Sequence, residues 1–423
     1  MDNIIDLLQS RGLLEATTSP AARQAVTSPV TVYAGFDPTS DSLQVGNLVT
    51  ILALGHFQRC GHRPIALVGG ATGLIGDPSG KTGERPMLDV EQVQRNAAGI
   101  RDNLARFLDF DHPTAPADLV NNYDWLGRIT FIEFLREIGR HFRLGAMLGK
   151  ESVRARLESE AGMSFAEFSY QILQAYDFLH LYDTRRCTFQ IGGSDQWGNI
   201  TAGIELIRKL RNVEAYGVTM PLVCDSTGQK FGKSEGNAVY LDQRKTSCYS
   251  FYQFFVRTAD ADVIRFLKIF TFLPLAEIEE LAHEVQVAPE KRVAQKRLAE
   301  EVTRLVHGEA GLRSAQRASS VLFGESMEGL HASDLLDVFL DVPSTRASKS
   351  QVINTPVADL AARAGLCRSK SEVRRLIASG GLYLNNRRVQ SPETTVRPED
   401  IIDGVLLVLR VGKKSYHLIR IAD

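Results

Sequence analysis

The chain has 423 residues, too many for one ordinary domain, so two or three are expected. Its 44% apolar and 23% charged residues are those of a soluble globular protein, and no apolar run reaches the length of a membrane span. The net charge of -1 hides an asymmetry: residues 354–423 carry 12 Lys and Arg against 7 Asp and Glu, a net of +5, which leaves -6 on the rest of the chain. A basic tail on an acidic body points to a polyanionic partner.

Met1 to Leu14 sets Asp2, Asp6 and Arg11 among Ile and Leu, the pattern of an amphipathic helix rather than a signal peptide. Thr31 to Ala34 reads as a short strand ending at Gly35. Ile65 to Val68 is a second, running into Gly69-Gly70. The spacing of Val93, Ala97, Ile100, Leu104 and Phe107 predicts a helix with one buried stripe. Thr188 to Ile191 is a third strand, ending at Gly192-Gly193. Buried strands that alternate with helices and run into glycine predict a parallel α/β sheet, whose ligands bind past the carboxyl ends of the strands.

From Ser247 to about Gly329 the strand signals vanish and Glu/Lys/Arg/Leu/Ala helices take over. Residues 331–353, with Pro343, Ser344, Ser348 and Ser350, read as a linker. A small α+β unit is expected over 354–423, with helices near Val357 to Ala364 and Ser369 to Ser379 and a strand over Gly404 to Val411. The expected domains are thus 1–246, 247–330 and 354–423, joined by 331–353. The five cysteines, Cys60, Cys187, Cys224, Cys248 and Cys367, are scattered without a CxxC pair, which predicts reduced thiols in a cytoplasmic protein.

Five stretches carry chemistry. Tyr170, Gln174 and Asp177 are spaced i, i+4, i+7 and share one helix face, polar in an otherwise apolar helix. Tyr33 to Thr39 lies at the end of the first strand. Gly69 to Thr82 resembles a phosphate-binding P-loop but fails its spacing, because Gly76 stands only three residues before Gly80. What remains is a Gly-rich turn with Lys81 and Arg85 nearby, suited to an anion. Gly192 to Trp197 offers bare backbone beside Asp195 and Gln196. Lys230 to Asn237 sets two lysines on a Gly/Ser loop, a pattern able to neutralise phosphate charge.

Together, in this order, these stretches resemble one family: the class I tyrosyl-tRNA synthetases of the bacterial and organellar type. Leu43-Gln44-Val45-Gly46-Asn47 stands where the class has His-Ile-Gly-His, in a first signature running from Pro38 to Asn47. Lys230-Phe231-Gly232-Lys233-Ser234 stands for the second signature. The C-terminal unit is similar to S4-type RNA-binding domains. The resemblance implies a Rossmann-type catalytic domain, an α-helical domain and the S4-like unit. It implies an enzyme that activates tyrosine with ATP and passes it to tRNA, with magnesium travelling on the ATP and no protein-bound metal, working as a homodimer.

The same resemblance implies residue roles. Tyr33 and Asp177 would hold the phenol of tyrosine. Asp77, Tyr170 and Gln174 would hold its α-ammonium, with Gln196 beside it. Asp37, Gly46, Asn47, Asp195, Lys230, Lys233 and Ser234 would contact ATP. Thr39, Gln44, Lys81, Arg85, Lys230 and Lys233 would stabilise the phosphates during reaction. Arg368, Lys370, Arg374, Arg375, Arg387 and Arg388 would meet RNA phosphates. Gln44 and Asn47 depart from the signature histidines but keep hydrogen-bond donors, which implies an altered rate rather than an altered substrate. Two alternatives remain at this point. One is a tryptophan-activating relative, against which Tyr33 and Asp177 argue. The other is a catalytically weak RNA-binding protein, which has no use for an intact lysine loop.

Overall fold

The computed structural model describes residues 3–79, 88–157, 162–234, 237–321, 324–340, 342–367, 370–412 and 415–422. The chain divides into two compact units. The first comprises residues 1–242 and 258–298; the second comprises 243–257 and 299–423.

The first unit is built on a six-stranded sheet. Its strands are β1 (Ala16–Thr17), β2 (Thr31–Phe36), β3 (Arg63–Val68), β4 (Asp118–Asn121), β5 (Cys187–Gly193) and β6 (Tyr216–Met220), in the order β1-β6-β5-β2-β3-β4. All neighbours are parallel except β1, which runs antiparallel to β6 at the edge. The sequence predicts β2, β3 and β5 from continuous apolar runs. Such runs suit parallel strands covered on both faces, and Ile65 to Val68 are buried without a break. β4 and β6 were not expected. β4 is half-buried along its length and ends in Asn121 rather than glycine, so neither cue marked it.

The helix Phe165–Arg185 follows a serine cap: Ser164 Oγ accepts from the Glu167 N–H at 3.2 Å. It stops at Arg186, which takes the left-handed conformation. Its inward face buries Tyr170, Ala175, Asp177, Phe178 and Leu181. Near its start Glu167 is paired with Arg156 at 2.7 Å, both side chains at most 3% exposed. The expected helix over 93–107 is present as Val90–Leu104, capped by Asp89. The helices Asp260–Phe270 and Leu275–Val287 complete this unit.

The second unit holds a five-stranded sheet. Its order is Arg387–Arg388, Leu382–Leu384, Leu406–Val411, Ser415–Ile421, Ser344–Ala347. The strand Leu406–Val411 shows why the sheet is covered on both sides. Leu407 and Leu409 face one core with Val357, Leu360, Val373 and Ile377 of the helices Val357–Arg363 and Lys370–Ser379. Leu406 and Val408, two-residue alternates, face a second core with Val321, Met327, Leu335 and Phe339. Within residues 331–353, read from the sequence as a linker, the described residues form regular elements instead. They form the helix Ala332–Val338, the strand Ser344–Ala347 and the helix Lys349–Val352. The serine and proline content that suggested a linker marks helix caps and strand ends here; the strand pairs in parallel with Ser415–Ile421. Among the described residues, no helix is long and apolar enough to cross a membrane.

Candidate functional site

A cavity of about 420 Å³ opens at the carboxyl ends of β2, β3, β5 and β6. Tyr33, Asp37, Thr39, Gly46, Asn47, Asp77, Tyr170, Gln174, Asp177, Asp195, Gln196 and Lys230 all line it. One parallel sheet, with the Phe165–Arg185 helix beside it, thus brings together residues 197 positions apart.

At one end Asp177 is 2% exposed. Its Oδ1 accepts from Trp125 Nε1 at 2.8 Å and its Oδ2 from Asn122 Nδ2 at 2.9 Å. Burial pushes the carboxyl up to about 7, against the two hydrogen bonds, which lower it; the charge on Asp37 raises it further. The Tyr33 hydroxyl belongs to the same buried pocket and has no hydrogen-bond partner among the described residues. Burial, then the Asp177 charge, holds that phenol well above the ordinary tyrosine range. A buried hydroxyl without a partner costs stability unless a ligand completes it.

The opposite wall is a fan of amides around Asp77. Gln196 Nε2 donates to Asp77 Oδ2 at 2.6 Å, and Gln174 Nε2 donates to Gln196 Oε1 at 3.2 Å. Asn199 Nδ2 donates to Gln174 Oε1 at 3.1 Å. The Ser79 N–H donates to Asp77 Oδ1 at 2.9 Å. Tyr170 donates its hydroxyl proton to Asp37 Oδ2 at 2.7 Å, and burial followed by the Asp37 and Asp77 charges raises its phenol. Two carboxylates and several amide oxygens converge here, which is the donor-hungry surface an ammonium group satisfies.

Glycine lets the backbone come close where the wall needs it. A Cβ on Gly69 would stand 2.1 Å from Asp37 Oδ1, and one on Gly193 would stand 2.6 Å from Asp195 Oδ1. The end of the cavity that holds Lys230 is bounded by a hairpin running back from Cys224 to Lys230, with the Phe231 N–H donating to Val223 O at 2.9 Å. Phe231 packs on Phe266 and Phe270, with ring centroids 4.4 and 4.9 Å apart. The first signature is tied to the segment that follows the second: the Val45 N–H donates to Val239 O and the Leu241 N–H to Leu43 O, and the Val239 N–H donates in turn to Gly232 O, all at 2.9 Å.

Not every expected residue is in the cavity wall. Gln44 and Pro38 are not among its lining residues. The Gln44 N–H donates to Asn47 Oδ1 at 2.9 Å, and the Pro38 carbonyl accepts from Asn96. Lys233 and Ser234 form a two-residue strand paired with Asn237–Ala238; their side chains lie outside the described structure. Lys81, Arg85 and Arg368 lie outside the described residues, as does the side chain of Lys370. In the second unit Arg374, Arg375, Arg387 and Arg388 are exposed. Arg387 pairs with Glu328 at 3.1 Å, and the Arg388 guanidinium lies against Gly380.

Sequence reasoning missed Asn122, Trp125, Thr72, Gln190 and Asn199. Asn122 and Trp125 directly follow β4, a strand without a glycine end. Gln190 sits inside β5, 2% exposed, its Oε1 unpartnered among the described residues.

The raised Asp177 carboxyl has a measurable consequence. In the unfolded chain an aspartate ionises near 3.9; in the fold it does so near 7. Between those values the folded state binds the extra proton, so stability falls as pH rises from about 4 to about 7. The parent is expected to lose stability across this window relative to Asp177→Asn, and the difference to flatten above it. Denaturant unfolding at stepped pH checks this; a difference independent of pH refutes it.

The chain matches a family model described as tRNA synthetases class I (W and Y) over residues 24–324. It matches a second, the tyrosine–tRNA ligase SYY-like C-terminal domain, over residues 334–419. It is 52% identical over 418 residues to the tyrosine–tRNA ligase of Geobacillus kaustophilus, covering 98% of this chain and 99% of the relative. It is 50% identical over 426 residues to that of Protochlamydia amoebophila, covering 100% of both. Among solved structures it is similar to a C-terminally truncated mitochondrial tyrosyl-tRNA synthetase of Aspergillus nidulans. That similarity has a TM-score of 0.68 and 33% identity, covering 76% of this chain and 95% of that one.

Proposed function

This chain belongs to the class I tyrosyl-tRNA synthetases of the bacterial type, and on that premise we propose how its own residues perform the reaction. The reaction has two steps. The tyrosine carboxylate attacks the α-phosphorus of ATP, and pyrophosphate leaves. The 3'-terminal adenosine of tRNA then attacks the tyrosyl carbonyl, and AMP leaves. No protein nucleophile is required; positioning and stabilisation of phosphate charge supply the catalysis.

The phenol of tyrosine is held between Tyr33 and Asp177, accepting from the first and donating to the second. The observation that carries this is the unpartnered Tyr33 hydroxyl buried beside the Asp177 carboxylate. A phenol completes both; the benzyl side chain of phenylalanine completes neither. The α-ammonium is held by Asp77, Tyr170 and Gln174, with Gln196 orienting Asp77. The carboxylate then points toward Asp37, Thr39, Gly46 and Asn47, where ATP lies with its ribose at Asp195 and its phosphates toward Lys230. Lys233, Ser234, Lys81, Arg85 and Gln44 are assigned to the phosphates on the resemblance of their motifs. Magnesium enters as part of the ATP substrate.

Tyrosine-dependent exchange of pyrophosphate into ATP tests this. Exchange is expected with tyrosine and not with tryptophan or phenylalanine at matched concentrations. No exchange at saturating tyrosine and ATP overturns it.

The exposed Arg374, Arg375, Arg387 and Arg388 are proposed to bind tRNA phosphates, together with Arg368 and Lys370. Arg374→Glu with Arg375→Glu is expected to weaken tRNA charging about tenfold or more and to make it less steeply dependent on salt than in the parent, while exchange stays at the parent rate. Equal charging by parent and variant removes this assignment. Paired point changes test the surface better than deletion of 354–423, because Leu406, Val408 and Tyr416 complete a core with residues 318–339.

A homodimer working in the cytoplasm is also proposed. Its support is the family resemblance and the exposed apolar side chains Phe131, Ile132, Leu144 and Phe165, each 64–71% exposed. Sedimentation at the mass of two chains is the expected result.

A further inference from the structure

We propose that Thr72 is a positioning residue that ties the two ends of the amino-acid pocket together through Asn122. The proposal rests on the reading of this cavity as the tyrosine site.

Thr72 begins the short helix Thr72–Ile75 but does not cap it; Ala71 is the cap residue and makes no side-chain cap bond. The Thr72 hydroxyl is used elsewhere. It donates to Asp37 Oδ1 at 2.7 Å, and Asn122 Nδ2 donates to it at 2.9 Å. Asn122 gives its second amide proton to Asp177 Oδ2 at 2.9 Å and accepts the Ala71 N–H on Oδ1 at 2.8 Å. Thr72 is 2% exposed and Asn122 0%.

The directions in this chain are forced. Carboxylates accept only, so the single Thr72 proton goes to Asp37 and leaves the hydroxyl lone pairs for Asn122. Asn122 must then present its amide N–H₂ toward both Thr72 and Asp177. Turned over, it would set its oxygen against the Asp177 carboxylate and its N–H₂ against the Ala71 N–H. The hydroxyl thus joins the Ala71 N–H and the Asp177 carboxylate in holding the amide's direction, and the same hydroxyl donates to Asp37, which receives the Tyr170 proton. Gly69 makes room for this link: a Cβ there would stand 2.5 Å from Thr72 Oγ1. Disturbing Thr72 therefore reaches the phenol end through Asn122 and the ammonium end through Asp37.

Thr72→Val keeps the shape and removes both bonds. It is expected to raise KM for tyrosine and lower the tyrosine-to-phenylalanine ratio of kcat/KM, each about tenfold. Thr72→Ser is expected to stay within about twofold of the parent on both readouts. Asn122→Ala is expected to lower the same ratio, and Thr72→Val added to it to lower it no further, because the two act through one link. If Thr72→Val does not fold, Thr72→Ala is read in its place. An unchanged ratio in the valine variant, or additive losses in the double variant, overturns the link while the pocket reading stands. If Asp177→Ala also leaves the ratio unchanged, the pocket reading fails and the proposal falls with it.

Discussion

Asp177→Ala is expected to lower kcat/KM for tyrosine by about 10³-fold while leaving KM for ATP near the parent value. The substrate hydroxyl loses a charge-assisted bond, and its proton is left without an acceptor where water is scarce. Together these cost about 4 kcal/mol, which is about 10³ in rate. Phenylalanine brings no hydroxyl, so its kcat/KM is expected to change little or to rise. The ratio between the two substrates therefore collapses. Tyrosyl enzymes are themselves the reference case for such discrimination, about 10⁵ against phenylalanine. The variant also frees two donors, Asn122 Nδ2 and Trp125 Nε1, which now face a void. Trp125 remains stacked on His180, centroids 4.4 Å apart, so the wall itself persists. Pyrophosphate exchange with both amino acids checks the outcome. A variant that activates tyrosine as well as the parent places the phenol elsewhere.

Lys230→Ala is expected to lower the rate of adenylate formation by about 10²- to 10³-fold, with KM for tyrosine unchanged. Charge develops on the departing pyrophosphate, and an ammonium held at the cavity edge gains most from it in the transition state. Lys230 owes its place to its neighbour: Phe231 is wedged against Phe266 and Phe270 while Gly232 takes a φ of 103° to turn the chain. The lysine therefore sits on an anchored segment, and its loss removes a positioned charge rather than a drifting one. Single-turnover formation of tyrosyl-adenylate measures the step. An unchanged rate at saturating ATP with a raised KM for ATP means that Lys230 serves ground-state binding only.

The two predictions concern opposite ends of one cavity, and they differ in how visible they were in the chain. Tyr170, Gln174 and Asp177 could be read as a set because an α-helix brings i, i+4 and i+7 to one face whatever surrounds it. Tyr33, Asp37 and Asp195 could be placed near a ligand because each follows or ends a strand that runs into glycine, and parallel sheets bind at that edge. Lys230 stood out only through its motif. Asn122, Trp125 and Thr72 carried no such mark. They reach Asp177 and Asp37 across 35 to 55 residues of chain, and nothing in their local sequence says that their side chains meet a carboxylate.

The sequence by itself determined the family, the parallel sheet, the polar helix face and the basic character of the C-terminal unit. Those properties rest on local periodicity, on strand composition and on motifs kept in order along the chain. Only the tertiary structure decided that Ala332–Val338 and Lys349–Val352 are helices and Ser344–Ala347 a sheet-edge strand. Serine and proline mark turns, caps and strand ends alike, and the strand becomes one only by pairing with Ser415–Ile421. Only the tertiary structure showed that Leu406–Val411 is covered on both faces, since each face needs helices more than 25 residues away. And only the tertiary structure gave Tyr33 a buried hydroxyl without a partner among the described residues. Burial and hydrogen bonding are properties of packing, and that buried hydroxyl beside Asp177 is the feature that most directly supports tyrosine as the substrate.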